Sequence, residues 1–320
     1  MKPDVVLCEC FARDGLQHEP NIVPTERKVQ LVERFASLGF SRVEATSYSN
    51  PNVVPQFADA SALLQRLPRR EGVMYKATCA NVHAVQRALA DLEAGFGANE
   101  ISLLVSASDS HSQRNLKRSR VAQWDNIRDM AAVARGRFRL IGTVSVAFGC
   151  PFEGAVDHEE VLRDVERFAA LGVEHVTLGD TTGMATPATV RSLFKAMRAR
   201  APNVTPIAHF HDTRGTGLVN YVAALDAGVT HFDCAIGGVG GHPAKVQYGG
   251  GHTGNVCTED WVGLLESMGV HTGIDLDGLL ETAKWCELVL DRPLQSRVLR
   301  SGFNPLQPME SMESMESRSL

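Results

Sequence analysis

Four stretches of the chain repeat one pattern: "VERFASLGFSRVEATS", "LEAGFGANEISLLVS", "VERFAALGVEHVTLGD" and "VAALDAGVTHFDCAIGG". Each runs from an amphipathic helix through a glycine (Gly39, Gly97, Gly172, Gly228) into a short apolar strand. The glycine suits the left-handed position that closes a helix. Five residues on, each strand is expected to end at a polar residue: Glu44, Ser102, Thr177 and Asp233. Four more strands fill the gaps, at 5–10, 73–79, 138–146 and 206–210. Helices are expected at 26–38, 55–66, 81–94, 122–135, 158–171, 188–200, 215–227 and 259–268, the first with Thr25 as N-cap and Val29, Val32 and Phe35 on one face. Eight such units predict a (β/α)8 TIM barrel, with a doubly wound open sheet as the alternative. The expected domain covers residues 1–308, and "MESMESMESRSL" at 309–320 reads as a low-complexity tail.

A barrel of this kind puts chemistry where its strands end. The first strand, "VVLCECFARDGLQ", delivers Glu9, Arg13 and Asp14; the second delivers Glu44, the sixth Asp180, and the seventh the pair in "IAHFHDTRG". His209 and His211 are two apart, so both face inward while Phe210 faces the helices. Asp14 adds a hard oxygen and Asn255 an amide oxygen. This mixed set suits a six-coordinate Mg²⁺ or Mn²⁺ better than a closed zinc site. Arg13 would set a fixed cation beside the ion, where an oxyanion develops, with Glu9 orienting it from below. Glu44 and Asp180 read as acid–base groups or as orienting partners. Cys8 and Cys10 share a strand face opposite Glu9 and read as core thiols.

The net charge of −5 argues against a nucleic-acid or anionic-membrane surface. "RNLKRSR" at 114–120 is either a basic pocket for an acidic small molecule or a solvated helix start. Seven cysteines without a CxxC pair suit free thiols in a reducing, cytoplasmic compartment. No apolar run approaches the roughly 20 residues of a membrane span.

"RDGLQHE", "VEATSYSNPNVVPQFADA", "SVAFGCPFEG", "TLGDTTGMATP", "HFHDTRGTG" and "GGVGGHPAKVQYGGGHTGNVCTED" together resemble the 3-hydroxy-3-methylglutaryl-CoA (HMG-CoA) lyase family, from about residue 4 to 290. The related synthases usually read RDGEQ, so "RDGLQ" points to the lyase branch. The resemblance implies an acyl-CoA substrate, a homodimer, and Mg²⁺ or Mn²⁺ on Asp14, His209, His211 and Asn255. It implies a retro-Claisen cleavage in which Arg13 stabilises the acetyl-CoA enolate and His209 assists removal of the hydroxyl proton. Related branches would cleave citramalyl-CoA or longer 3-alkyl analogues; a Claisen-type synthase is the other alternative.

The glycine-rich stretch 237–255, which includes His252, corresponds to the family's mobile loop after strand 8. There the family reads GGCP, and the cysteine is taken as the acid that protonates the departing carbanion. This chain reads "GGHP", with His242 at that position. Histidine transfers protons near neutral pH, so His242 is read as the acid of the same reaction, as tuned to a related substrate or a different proton step, or as a loop residue without catalytic duty.

Overall fold

The computed structural model describes residues 2–241 and 253–303. Eight strands close into a barrel in sequence order: β1 (Val6–Glu9), β2 (Arg42–Ser47), β3 (Met74–Cys79), β4 (Glu100–Ser106), β5 (Arg139–Ser145), β6 (His175–Asp180), β7 (Thr205–Phe210) and β8 (His231–Cys234). Each pairs in parallel with the next, and β8 pairs with β1 through Val6–His231 to Glu9–Cys234. The TIM barrel replaces the open-sheet alternative.

Outside lie α1 (Thr25–Ser37), α2 (Ala60–Arg66), α3 (Val82–Glu93), α4 (Asp109–Leu116), α5 (Arg120–Ala134), α6 (His158–Ala170), α7 (Pro187–Arg200), α8 (Gly217–Asp226), α9 (Thr258–Ser267), α10 (Leu276–Leu290) and α11 (Val298–Ser301). The last two and α4 were not expected; α4 is polar and short, so its period is weak. Pro24 takes the N-cap position of α1, and Thr25 instead donates its hydroxyl to Asp59 Oδ2 at 2.8 Å. Val32 and Phe35 are fully buried on the inner face of α1, with Val29 packed at its margin.

Two expectations about the repeats need correction. The strands continue past Glu44, Ser102, Thr177 and Asp233 by one to four residues, so these four side chains stand inside the barrel rather than at its rim. In the second repeat the left-handed residue is Gly95 (φ +89°), while Gly97 is a glycine because a Cβ there would lie 2.3 Å from Leu92 N.

The register gives the barrel an unusual interior. Residues paired across strands share a face, so Cys8, Arg42, Glu44, Lys76, Glu100, Ser102, Thr177, His209 and Asp233 all point inward. Branched aliphatic layers usually fill this space. Here a chain of ion pairs does so. Arg42 Nη2 lies 2.7 Å from Glu100 Oε1 and Arg42 Nη1 lies 3.2 Å from Asp233 Oδ1, and Arg139 Nε donates to Glu100 Oε2 at 2.7 Å. The apolar residues instead fill the layer between strands and helices, as where Phe210 packs on Phe148 and Tyr221.

Gly39 shows how closely the layers approach. Its φ is +106°, and a Cβ would sit 2.3 Å from the carbonyl oxygen of Gly273. Gly39→Ala is expected to cost about 1–3 kcal/mol through strain and overpacking. Thermal unfolding checks this: a fall of several degrees in Tm is expected, and an unchanged Tm contradicts the packing described.

Candidate active site

β1 runs into a π-helical turn, Phe11–Gly15, which carries Arg13 and Asp14. Asp14 is the point of convergence. Arg13 Nη1 donates to its Oδ1 at 2.8 Å, and Asn255 Nδ2 donates to its Oδ2 at 2.7 Å. His211 Nε2 lies 3.6 Å and His209 Nε2 4.0 Å from the same Oδ2. His211 follows the end of β7 and forms an antiparallel bridge with Asn255, which fixes the second imidazole and the amide relative to each other. Ligand atoms of Asp14, His209 and His211 all lie within 4.8 Å of one another. Asn255 Oδ1 and His211 Nδ1 are buried without a partner among the described residues.

The electrostatics match the donor set. Burial works against the Asp14 carboxylate, but the His211 hydrogen bond, Arg13 and both imidazoles outweigh it and hold its pKa well below the usual range. Burial lowers the pKa of His209, so near neutral pH it is an uncharged imidazole with a free lone pair. The Asp233 carboxylate stands 3.8 Å behind its Nδ1. These groups fit a divalent cation: one hard carboxylate, two imidazoles and an amide oxygen with no other partner among the described residues.

Arg13 is held by Asp14 and by Glu44, whose Oε1 lies 3.7 Å from its Nε. Glu44 Oε1 also accepts from Thr78 Oγ1 at 2.7 Å. Glu9 does not orient Arg13, contrary to expectation. Strand alternation turns it to the other face, where its Oε1 accepts from the backbone N–H of Phe11 and Ile236 at 2.9 and 3.0 Å, and its Oε2 accepts from Thr258 Oγ1 at 2.6 Å. It thereby ties the turn after β1 to the segment after β8. Asp180 accepts from Met184 N and Ala185 N at 2.7 and 3.0 Å, bracing the loop after β6. Burial raises its pKa to about 6.

A cavity of about 290 Å³ opens over these groups, lined by Arg13, Asp14, Glu44, Lys76, Ser102, Thr177, His209, His211 and Asp233, with Lys117 and Arg118 at its wall. The basic stretch 114–120 therefore reaches the cavity. A larger hollow of about 590 Å³ between α5 and α6 contains none of these groups. Gly240 and Gly241 bring the chain to the cavity. A Cβ on Gly240 would meet Asn255 Nδ2 at 2.6 Å. His242 and His252 lie outside the described residues.

Sequence reasoning missed the inward charges Arg42, Lys76 and Glu100 and the role of Asp233 behind His209. The signal was available: ionisable residues inside short, otherwise apolar strands.

A closed parallel barrel with a carboxylate, two imidazoles, an amide and a fixed arginine at its C-terminal end defines a TIM-barrel enzyme whose donor set fits a metal ion. The chain belongs to the HMGL-like family, whose model matches residues 4–286, and it is a lyase. The hydroxymethylglutaryl-CoA lyase of Bacillus subtilis is 37% identical over 92% of this chain and 96% of that protein. The (R)-citramalyl-CoA lyase of Chloroflexus aurantiacus is 34% identical over 93% and 95%. The structure of an HMG-CoA lyase from Acinetobacter baumannii, in complex with coenzyme A and 3-methylmalate, superposes with a TM-score of 0.87 at 35% identity and covers 95% of this chain and 97% of that one. The carboxyl transferase domain of Rhizobium etli pyruvate carboxylase, at 16% identity and a TM-score of 0.69, shares the fold alone.

Burial raises the pKa of Glu9 from 4.5 to about 8, against the hydrogen bonds it accepts. The folded chain therefore keeps a proton that the unfolded chain releases. The associated stability is full below about pH 4.5 and is lost as pH rises through 8. Glu9→Gln, neutral throughout, is expected to show a flatter fall in Tm between pH 5 and pH 9 than the unsubstituted protein. Parallel Tm–pH curves contradict this assignment.

Proposed function

We propose that the chain is a divalent-metal-dependent carbon–carbon lyase that cleaves an HMG-CoA-like 3-hydroxyacyl-CoA to acetyl-CoA and a keto acid. The observation that carries this reading is the convergence of His209, His211 and Asn255 on Asp14, with the Arg13 guanidinium 2.8 Å from that carboxylate. Citramalyl-CoA or a longer 3-alkyl analogue is the second reading, favoured by the comparable similarity to the citramalyl-CoA lyase.

Asp14, His209, His211 and Asn255 would hold Mg²⁺ or Mn²⁺. Such an ion, when bound, polarises the substrate hydroxyl and lowers its pKa. His209 cannot offer one Nε2 lone pair both to an ion and to the hydroxyl proton. We assign the lone pair to the ion, with Asp233 behind Nδ1 fixing the ring, and the proton leaves toward the flanking carboxylate of Glu44. Arg13, fixed between the carboxylates of Asp14 and Glu44, presents its charge to the thioester oxygen as the C2–C3 bond breaks. His242 returns a proton to C2, and Asp180 acts by positioning the loop after β6. Glu9, which lies on the far face, supports this arrangement structurally. Lys117 and Arg118 at the cavity wall would receive the phosphates of CoA.

No helix among the described residues is long and apolar enough to cross a membrane. We further propose a cytoplasmic homodimer that binds neither nucleic acid nor membrane, with residues 1–308 as its single domain.

Arg13→Met is expected to lower kcat/KM for the thioester by about 100- to 1,000-fold, the scale for losing one oxyanion donor, with bound Mn²⁺ unchanged by elemental analysis. Persistent turnover would remove Arg13 from the enolate role. His242→Ala is expected to lower kcat by about 100-fold, and His242→Cys to retain more activity than His242→Ala. Equal turnover in all three proteins contradicts a proton-transfer role for residue 242.

A further inference from the structure

Lys76 is a buried ammonium that the cleavage does not use. It points inward from β3, 4% exposed, with its Nζ 3.4 Å from Glu44 Oε1 and 3.4 Å from Asp233 Oδ2. Those contacts account for two of its three N–H donors. Lys76 lines the same cavity as Ser102 and Thr177, whose hydroxyls are buried and have no hydrogen-bond partner among the described residues. Buried polar groups are normally paired. Three donors facing one cavity therefore call for an oxygen-rich group from a ligand.

The charge of the interior gives the sign of that group. Asp14, Glu44, Glu100 and Asp233 are matched by Arg13, Arg42, Lys76 and Arg139. The set is neutral as it stands, so a bound divalent ion leaves two positive charges to be met by the acyl group. One carboxylate on the acyl chain meets one of them.

We propose that Lys76, Ser102 and Thr177 form an acyl-recognition subsite for a second carboxylate, borne on the C3 branch of the 3-hydroxyacyl thioester. The proposal rests on the lyase reading above and names its substrate class. Cleavage breaks the C2–C3 bond: the hydroxyl becomes the C3 carbonyl, its proton is balanced by one delivered to C2, and the products are an acetyl thioester and a keto dicarboxylate. Lys76 selects the substrate and takes no part in the bond change.

The test is binding of the two keto acids that the alternative substrates would release, measured by calorimetry on the full-length Mn²⁺-loaded protein. 3-Oxoglutarate, with two carboxylates, is expected to bind at least about tenfold more tightly than acetoacetate, the scale of one charge-assisted hydrogen bond. Lys76→Met should abolish that preference while leaving acetoacetate affinity within about threefold, since less than 1 kcal/mol is at stake there. Ser102→Ala, a small change at an unpartnered hydroxyl, should reduce the preference in part and serves as the second variant if Lys76→Met does not fold. Equal affinity for the two acids in the unsubstituted protein overturns the subsite, as does a Lys76→Met variant that weakens both equally, the mark of a purely structural lysine. A retained preference without acetyl-CoA release from any 3-hydroxyacyl thioester would instead overturn the lyase reading and leave the subsite standing.

Discussion

The pairing of β8 with β1 is the constraint on which the site depends. It brings the first strand's turn against the segment that follows the last strand, so Asp14 and Asn255, 241 residues apart, meet at 2.7 Å. Glu9 fastens the same junction from the outer face through Phe11, Ile236 and Thr258. Without closure, Arg13 and Asp14 would have no imidazoles to face. A doubly wound sheet would leave its first and last strands apart, so the chemistry and the architecture stand together.

Closure also creates the low-dielectric interior in which the ion pairs operate. A buried charge is costly unless matched, and the barrel matches four carboxylates with four cations along one connected path. Glu44 and Asp233 each touch two parts of that path. Glu44 links Arg13 to Lys76; Asp233 links Lys76 and Arg42 to the rear nitrogen of His209. The geometry of the reactive end is therefore set by charges buried beneath it. A change at Lys76 acts on the cavity floor and on the orientation of both neighbours, which is why discrimination between acids, rather than activity alone, separates recognition from support.

Much of this was legible in the sequence. Repetition of helix, glycine and strand gave the barrel, and the HxH spacing with Asp14 and Asn255 gave the group that converges. Periodicity was less informative about how far each strand extends, because Glu44, Ser102, Thr177 and Asp233 look like strand ends when they are inward residues of longer strands. Glu9 shows the same difficulty: its side follows from strand alternation, but two of its three partners, Ile236 and Thr258, lie more than 200 positions away. The inward charges Arg42, Lys76 and Glu100 were overlooked because a lone charge in a short strand looks like a surface residue until closure supplies its counter-charge. The helices after α9 were missed because they lie beyond the eight repeated units.

The central claim is metal-dependent cleavage of a 3-hydroxyacyl-CoA. Its most direct test is acetyl-CoA release from HMG-CoA, and in parallel from citramalyl-CoA and the 3-carboxymethyl analogue, by purified protein with Mn²⁺ or Mg²⁺ and with chelator. Release at about 1 s⁻¹ or faster from at least one thioester, an ordinary enzyme rate, abolished by chelation and restored by the ion, is the predicted result. Release from none of them by protein carrying a stoichiometric divalent ion would contradict the account.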